Sequence, residues 1–272
     1  MPVPGEPDLE ELVRLVKNSA RYAEISTSLV RSIGLGELQK HRNLKEAVKA
    51  TRSKLHQVGA SYQEDAIPYD RLLTEMSNLE PALTDPAVQR WLKSALAHHA
   101  STRERLPILG QIYTETLAPL GPIHSVLDIA CGLNPLSMPW MPLAADATYQ
   151  AVDVYADMIA FLNAFFDHFR VNGRAEVADV LQAPLPQPVQ VALLLKTIPC
   201  LEQLDKQAGK KLLESIEAEI ILVSFPSRSL GGRSKGMLQN YETHFLELTA
   251  GKPWRIERFL FQGELVFRVQ KS

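Results

Sequence analysis

Cysteine is nearly missing from this sequence. The only two, Cys131 and Cys200, stand 69 positions apart with no CxxC or Cys/His spacing, which argues against a disulfide framework and a zinc site, so no metal is expected. Long apolar runs are missing too. No stretch approaches the ~18 uncharged apolar residues of a membrane helix, and the start, MPVPGEPDLEEL, is acidic and proline-rich where a signal peptide is basic and then apolar. A cytoplasmic protein is the expectation. An excess of one charge is also lacking: the net charge is -2, so any anionic partner must be met by a local concentration of Lys and Arg. What the chain does have is length, 272 residues with 46% hydrophobic, enough for one large domain plus an appendage.

The first 120 residues read as mostly helical. Leu9, Leu12, Val13 and Val16 recur at the spacing of one apolar helix face, with Asp8 and Glu11 as a capping pair ahead of them. A second helix is predicted over Ser28–Ile33 and a third over Lys40–His56. On the third, Arg42, Lys45, Lys49 and Arg52 form one stripe and Leu44, Val48, Thr51 and Leu55 the opposite one. Six basic residues against one acid, Glu46, lie between Lys40 and Lys54. Tyr69–Leu79 and Asp85–Leu96 complete the predicted helices, the latter with Pro86 at its first position.

From about Ile123 the pattern changes to alternating strands and helices. HSVLDIA (His124–Ala130), TYQAVDV (Thr148–Val154), RAEVADV (Arg174–Val180), QVALLLK (Gln190–Lys196) and EIILVSF (Glu219–Phe225) are β-prone, and Asp157–Phe169 and Glu202–Glu217 are helix-like. That alternation predicts an α/β fold with a mainly parallel sheet covered on both faces. Trp254–Phe261 and Glu264–Gln270, joined by Gln262-Gly263, read as a C-terminal antiparallel hairpin.

The stretch VLDIACGLNPL, Val126–Leu136, runs from a buried strand into a tight turn. In an open α/β sheet ligands bind beyond the carboxyl ends of the strands, so this turn is the first place to look. A dinucleotide fold wants three glycines in G-x-G-x-x-G, and here there is one, Gly132. S-adenosylmethionine fits better: Asp128 near the strand end, Gly132 in the turn, and Asp153, 21 residues on, placed to hold ribose hydroxyls. Ala130 is small enough for close backbone approach, and Asn134 tolerates left-handed angles. An ordinary strand-to-helix turn is the competing reading.

These residues, with HHASTRERL (His98–Leu106), LLLKTIPCLE (Leu193–Glu202) and VSFPSRSLGGRSKGM (Val223–Met237), resemble the aminoglycoside-resistance methyltransferases that modify N7 of guanine 1405 in 16S ribosomal RNA. The resemblance extends through Ser19–Ile33 and Lys54–Tyr62 and covers nearly the whole chain. It implies a Rossmann-like S-adenosylmethionine-dependent methyltransferase fold over residues 111–272 and a helical extension, residues 1–110, that docks on the 30S subunit. It further implies cofactor contacts from Tyr62, His99, Ala100, Ser101, Arg105, Ala130, Gly132, Asp153, Asp179, Val180, Leu195 and Gln207. Arg105 would face the methionine carboxylate, since a planar guanidinium matches a carboxylate.

Guanine N7 has an in-plane lone pair and no proton to lose, so no general base is expected. Lys196, Arg228, Arg233 and Lys235 are the candidates for positioning the base. The loop holding the last three is basic and glycine-containing, suited to clamping an RNA backbone. Arg42, Lys45, Lys49, Arg52 and Lys54 are the candidates for ribosomal RNA docking, although a solvated helix face has the same charge pattern. Pro199-Cys200 resembles the Pro-Cys of cytosine-C5 enzymes, but free cysteine is more often a small buried hydrophobe. A methyltransferase acting on another RNA position or a small molecule, and a non-catalytic RNA-binding assembly factor, are the alternatives. No coiled-coil seam is left unassigned, and a monomer is expected.

Overall fold

The computed structural model describes residues 6–60, 66–182, 185, 188–227 and 236–271. Tyr62, Arg228, Arg233 and Lys235 lie outside them.

The amino-terminal part is built from α1 (Glu6–Lys17), α2 (Thr27–Lys40), α3 (Leu44–Leu55), α4 (Tyr69–Ser77), α5 (Pro86–Leu96), α6 (Ala100–Arg105) and α7 (Leu109–Thr116), with a π-helical turn, His56–Ala60, after α3. Local side chains set several starts. Asn43 Oδ1 accepts the Glu46 amide at 2.9 Å ahead of α3, and Asp85 Oδ1 accepts the Ala87 amide at 2.7 Å ahead of α5, where Pro86 opens the first turn. Three sequence expectations move. Asp8 lies inside α1, and Glu11 pairs with Arg14 at 2.6 Å instead of capping. The helix from Ser28 runs on to Lys40, because Gly34 lacks the Cβ that would meet a Leu12 methyl of α1. Residues 40 and 41 therefore end α2, and α3 begins only after Asn43.

The sheet strands are β1 (Ile123–Ile129), β2 (Leu143–Asp153), β3 (Gly173–Val177), β4 (Val189–Leu195), β5 (Ala218–Pro226), β6 (Arg255–Phe261) and β7 (Glu264–Gln270). Their order is β3-β2-β1-β4-β5-β7-β6, the first five parallel and β7 antiparallel between β5 and β6. The predicted hairpin is present, with Gly263 at φ 88° in its turn. Helices α8 (Ala156–His168), α9 (Ile198–Leu201), α10 (Ala208–Ser215) and α11 (Met237–Thr249) connect the strands. Along β1, β4 and β5, Val126, Leu193 and Leu222 pack into the core shared with the amino-terminal helices, while Leu127, Leu194 and Ile221 pack into the second core. Both faces are covered, which is why the middles of these strands carry apolar residues facing both ways. One core joins the amino-terminal helices to the sheet, and a boundary between residues 110 and 111 falls inside α7.

Two more differences concern the site. The strand expected to reach Val180 stops at Val177: the Ala178 amide makes the last rung to the Asp153 carbonyl at 2.9 Å, and the chain then turns as Asp179 Oδ1 accepts the Leu181 amide at 3.1 Å. The helix expected over Glu202–Glu217 is shortened to α10, starting only at Ala208, after a turn in which Asp205 Oδ1 accepts the Gln207 amide at 2.9 Å. The sequence reading had no helix where α11 lies. It is pinned by Phe245, stacked on Phe267 of β7 at 4.1 Å between centroids and set edge-on to Phe225 of β5 at 5.8 Å. Phe245→Ala is expected to cost about 3–5 kcal/mol, read as a lowered denaturant midpoint.

Candidate functional site

The order of strands reverses between β1 and β4, and the chain is strained there on both sides. Ala130 (φ 52°) and Gly132 (φ 53°) follow β1, and Lys196 (φ 61°) follows β4, all left-handed. A left-handed alanine or lysine costs of order 1–3 kcal/mol and persists only where its surroundings fix it. At Gly132 no side chain fits at all, since a Cβ would lie 2.8 Å from the His99 ring. The turn brings the Gly132 amide to Asp153 Oδ2 at 2.9 Å, while the Val154 amide donates to Asp153 Oδ1 at 2.6 Å. The carboxylate at the end of β2 is thus clamped in plane by backbone from two strands. Burial raises its pKa, opposed by the amides of Gly132, Val154 and Tyr155. Three amides on about four lone-pair sites leave the carboxylate one site for a further donor.

A cavity of about 790 Å³, its open mouth included, lies over these strand ends. Of the residues predicted from sequence, His99, Ser101, Ala130, Gly132, Asp153, Asp179, Val180, Leu195 and Lys196 line it. Asp179 is raised by burial, against the pull of the Leu181 amide. His99 is depressed to about 4, by burial first and then by the Arg105, Lys196 and Arg103 charges, so it is neutral at physiological pH. Three predicted residues do not line the cavity. Ala100 is buried within α6, and Gln207 is exposed ahead of α10. Arg105, 1% exposed, is committed to Glu264 of β7 at 2.9 Å and to Asn134 Oδ1 at 3.0 Å, because a buried guanidinium needs a counter-ion.

Sequence reasoning missed Tyr155, Met158, Thr197 and Leu204 on the cavity wall. It weighed Cys200, which also lines it, only as a nucleophile. Tyr155 was within reach of inspection, two residues past Asp153. Leu204 was not, since it comes to the wall only through the break between α9 and α10.

Arg105 belongs to a network behind the cavity floor. Asn134 Nδ2 donates to Asp128 Oδ2 at 2.8 Å, and the Tyr149 hydroxyl donates to the same oxygen at 2.7 Å. The Tyr113 hydroxyl donates to Asn134 Oδ1 at 2.7 Å. Lys196 Nζ sits 2.6 Å from Glu104 and 3.7 Å from Glu264. Burial works against the charge of Glu264, but the Arg105 and Lys196 cations outweigh it and hold its carboxyl below the usual range. Asp128 goes the other way: burial lifts it to about 7, more than Asn134, Tyr149 and Arg105 offset.

Of the candidate docking residues, Arg42, ahead of α3 and so off the predicted helical stripe, and Lys45 and Lys49 on α3 are exposed. Arg52 and Lys54 have internal partners. Arg52 Nη2 donates to the Leu15 carbonyl of α1 at 2.6 Å, and Lys54 pairs with buried Glu37 at 3.2 Å. Among the described residues no group of three or more His, Cys, Asp or Glu side chains is arranged to hold a metal, and no helix is long and apolar enough to cross a membrane.

Asp128 gives a pH prediction. Its folded pKa of about 7 exceeds the ordinary 3.8, so between those values the folded state binds more protons and this group's contribution to stability falls as pH rises. Asp128→Asn keeps the acceptor for Asn134 and Tyr149 and removes the charge. Melting curves from pH 4 to 8 are expected to show the variant's stability declining less, with the difference growing toward pH 8 and bounded by about 4 kcal/mol.

The comparisons with known proteins agree with this geometry. The family model described as "Ribosomal RNA methyltransferase (FmrO)" matches residues 18–268. The 16S rRNA (guanine(1405)-N(7))-methyltransferase of Micromonospora rosea is 36% identical over 269 residues, covering 98% of each chain. The protein of the same description from Serratia marcescens is 30% identical over 268 residues, covering 97% of this chain and 99% of its own. The crystal structure of the 16S rRNA methyltransferase RmtF in complex with S-adenosyl-L-homocysteine superposes with a TM-score of 0.82 at 27% identity, covering 99% of this chain and 100% of that one. The strand order, the left-handed turn on the Asp153 carboxylate and these matches lead to one conclusion: the chain belongs to the FmrO family of ribosomal RNA methyltransferases.

Proposed function

We propose that this protein, acting as a monomer in the cytoplasm, transfers a methyl group from S-adenosylmethionine to N7 of guanine 1405 of 16S ribosomal RNA in the assembled 30S subunit, and thereby confers aminoglycoside resistance. The observation that carries the reading is the cavity at the switch point, closed on one side by Asp153 and by a turn that presents only the small residues Ala130, Cys131 and Gly132 to it. The residues fit the cofactor. Asp153 turns its carboxylate to the side where the ribose hydroxyls would lie, and Asp179, Val180 and Leu195 offer one carboxylate and two apolar surfaces for an adenine. Ala130 and Gly132 leave backbone bare for the methionine half, beside His99 and Ser101. Tyr62 is a further proposed contact.

When bound, S-adenosylmethionine supplies a methyl activated by its sulfonium. The protein's own part is alignment. N7 offers a lone pair and sheds no proton, and His99, neutral, is not needed as a base. Holding nucleophile and methyl in line is worth roughly 7–11 kcal/mol in well-oriented cases. Extruding the guanine from a paired helix costs a few kcal/mol, offset by backbone contacts, which we assign to Arg228, Arg233 and Lys235. Lys196, held between Glu104 and Glu264 at the cavity wall, shapes the place where the base would lie. The added methyl would block a hydrogen-bond acceptor and leave a positive charge that repels a polycationic drug.

Incubation with labelled S-adenosylmethionine is expected to label intact 30S subunits and not naked 16S RNA or small molecules. Label on naked RNA alone or on small molecules would move the substrate, and cofactor binding without transfer would remove the enzyme. For docking, Arg42→Ala, Lys45→Ala and Lys49→Ala combined are expected to weaken 30S binding and lower its salt dependence, by up to about 0.9 in log–log slope per lost contact, with cofactor affinity unchanged. Arg52→Ala is expected to act mainly on the unfolding midpoint, because its partner is the Leu15 carbonyl.

A further inference from the structure

Helix α8 begins at Ala156, directly after the Asp153–Tyr155 loop, and no side chain caps it. Its first amide is one of the four that a helix leaves without an internal partner. The partner comes from 132 positions earlier in the chain: the Ala156 amide donates to the Glu24 carbonyl at 2.8 Å. Two residues on, the Ser26 amide donates to the Val154 carbonyl at 2.7 Å, and Ile25 and Tyr155 form an antiparallel bridge. Lys17, at the end of α1, secures this segment from behind by donating to the Ile25 carbonyl at 2.9 Å. Ile25 and Tyr155 are 1% and 5% exposed, so the bridge is shielded from water. Gly59 leans on the same loop from the π-helical turn after α3, where a Cβ would lie 2.9 Å from the Tyr155 hydroxyl oxygen.

The loop next to Asp153 is therefore held from two sides. The turn after β1 fixes the carboxylate itself, and residues 24–26 fix the backbone that follows it. We infer that the Glu24–Ser26 segment is a positioning element of the cofactor site, so that the amino-terminal region governs cofactor affinity as well as docking. The inference rests on the reading of the cavity as the S-adenosylmethionine site. Residues 24–26 act through the loop: none of the three lines the cavity, whereas Val154 and Tyr155 do.

Two substitutions at one position isolate the bridge. Ser26 has φ -45° and precedes α2, a conformation close to that of proline, so Ser26→Pro removes the amide donor at small backbone cost. It also removes the side-chain cap on the Leu29 amide. Ser26→Ala removes the same cap and keeps the donor, which makes it the control. With S-adenosylhomocysteine as the titrant, Ser26→Pro is expected to weaken binding about tenfold or more and Ser26→Ala no more than about twofold. In turnover, the KM for S-adenosylmethionine should rise in Ser26→Pro with kcat nearly unchanged, a split that general loss of folded protein would not produce. Hydrogen exchange on the wild-type chain tests the same point without a variant: S-adenosylhomocysteine should slow exchange at the amides of 24–26 and 154–156 together. Equal affinities in the two variants, or protection confined to 154–156, overturns the positioning role while leaving the cofactor reading intact. Wild-type protein that takes up no S-adenosylhomocysteine overturns both.

Discussion

The site depends on one backbone hydrogen bond, from the Gly132 amide at the end of β1 to the Asp153 carboxylate at the end of β2. To make it, the chain adopts left-handed angles twice in three residues, at Ala130 and Gly132. Only a residue without a Cβ fits at 132, because His99 occupies the space where a side chain would stand. The bond does two things at once. It orients a buried carboxylate whose charge burial opposes, and it holds a turn whose cavity-facing residues, Ala130, Cys131 and Gly132, are all small.

Behind that turn the protein buries a connected set of charges in place of an apolar floor. Arg105, Glu264 and Lys196 pair with one another or with Glu104, and Asn134 joins Arg105 to Asp128. Such a network gives little net stability against an apolar replacement of equal volume, yet losing one member leaves an unpaired buried charge. Its geometry gives it another use. It ties α6, the turn after β1 and the end of β4, which line the cavity, to the start of β7 in a single arrangement. Lys196, strained at φ 61° and held by two carboxylates, shows the strain and the network meeting in one residue.

Much of this was legible in the sequence, for identifiable reasons. The central strands β4 and β5 carry apolar runs, Val191–Leu195 and Ile220–Val223, and the hairpin carries a two-residue Gln262-Gly263 turn, so much of the sheet could be read from local pattern. Asp153 and Gly132 could be read because their spacing reflects one strand-helix-strand unit. The pairing of Arg105 with Glu264, 159 residues away, was not legible, because sequence pattern carries no signal for such a pair. Arg52 and Lys54 were grouped with the exposed basic stripe for a similar reason: charge periodicity identifies a face, while the Leu15 carbonyl and Glu37 that occupy them belong to other helices. The late start of α10 turns on a single Asp205 side chain bonding to local backbone, a competition that periodicity over a long window averages away.

The amino-terminal helices share a core with the sheet and lend two backbone hydrogen bonds to the loop after β2, so the cavity is a joint product of both parts of the chain. The central claim is that Asp153, fixed by the Gly132 amide, is the group that grips the donor's ribose. Calorimetric titration of S-adenosylmethionine into wild-type protein and Asp153→Asn measures it most directly. One site with clear heat in the wild type, and affinity in the variant reduced at least about tenfold, is the predicted result. Equal affinity for the two proteins would contradict it.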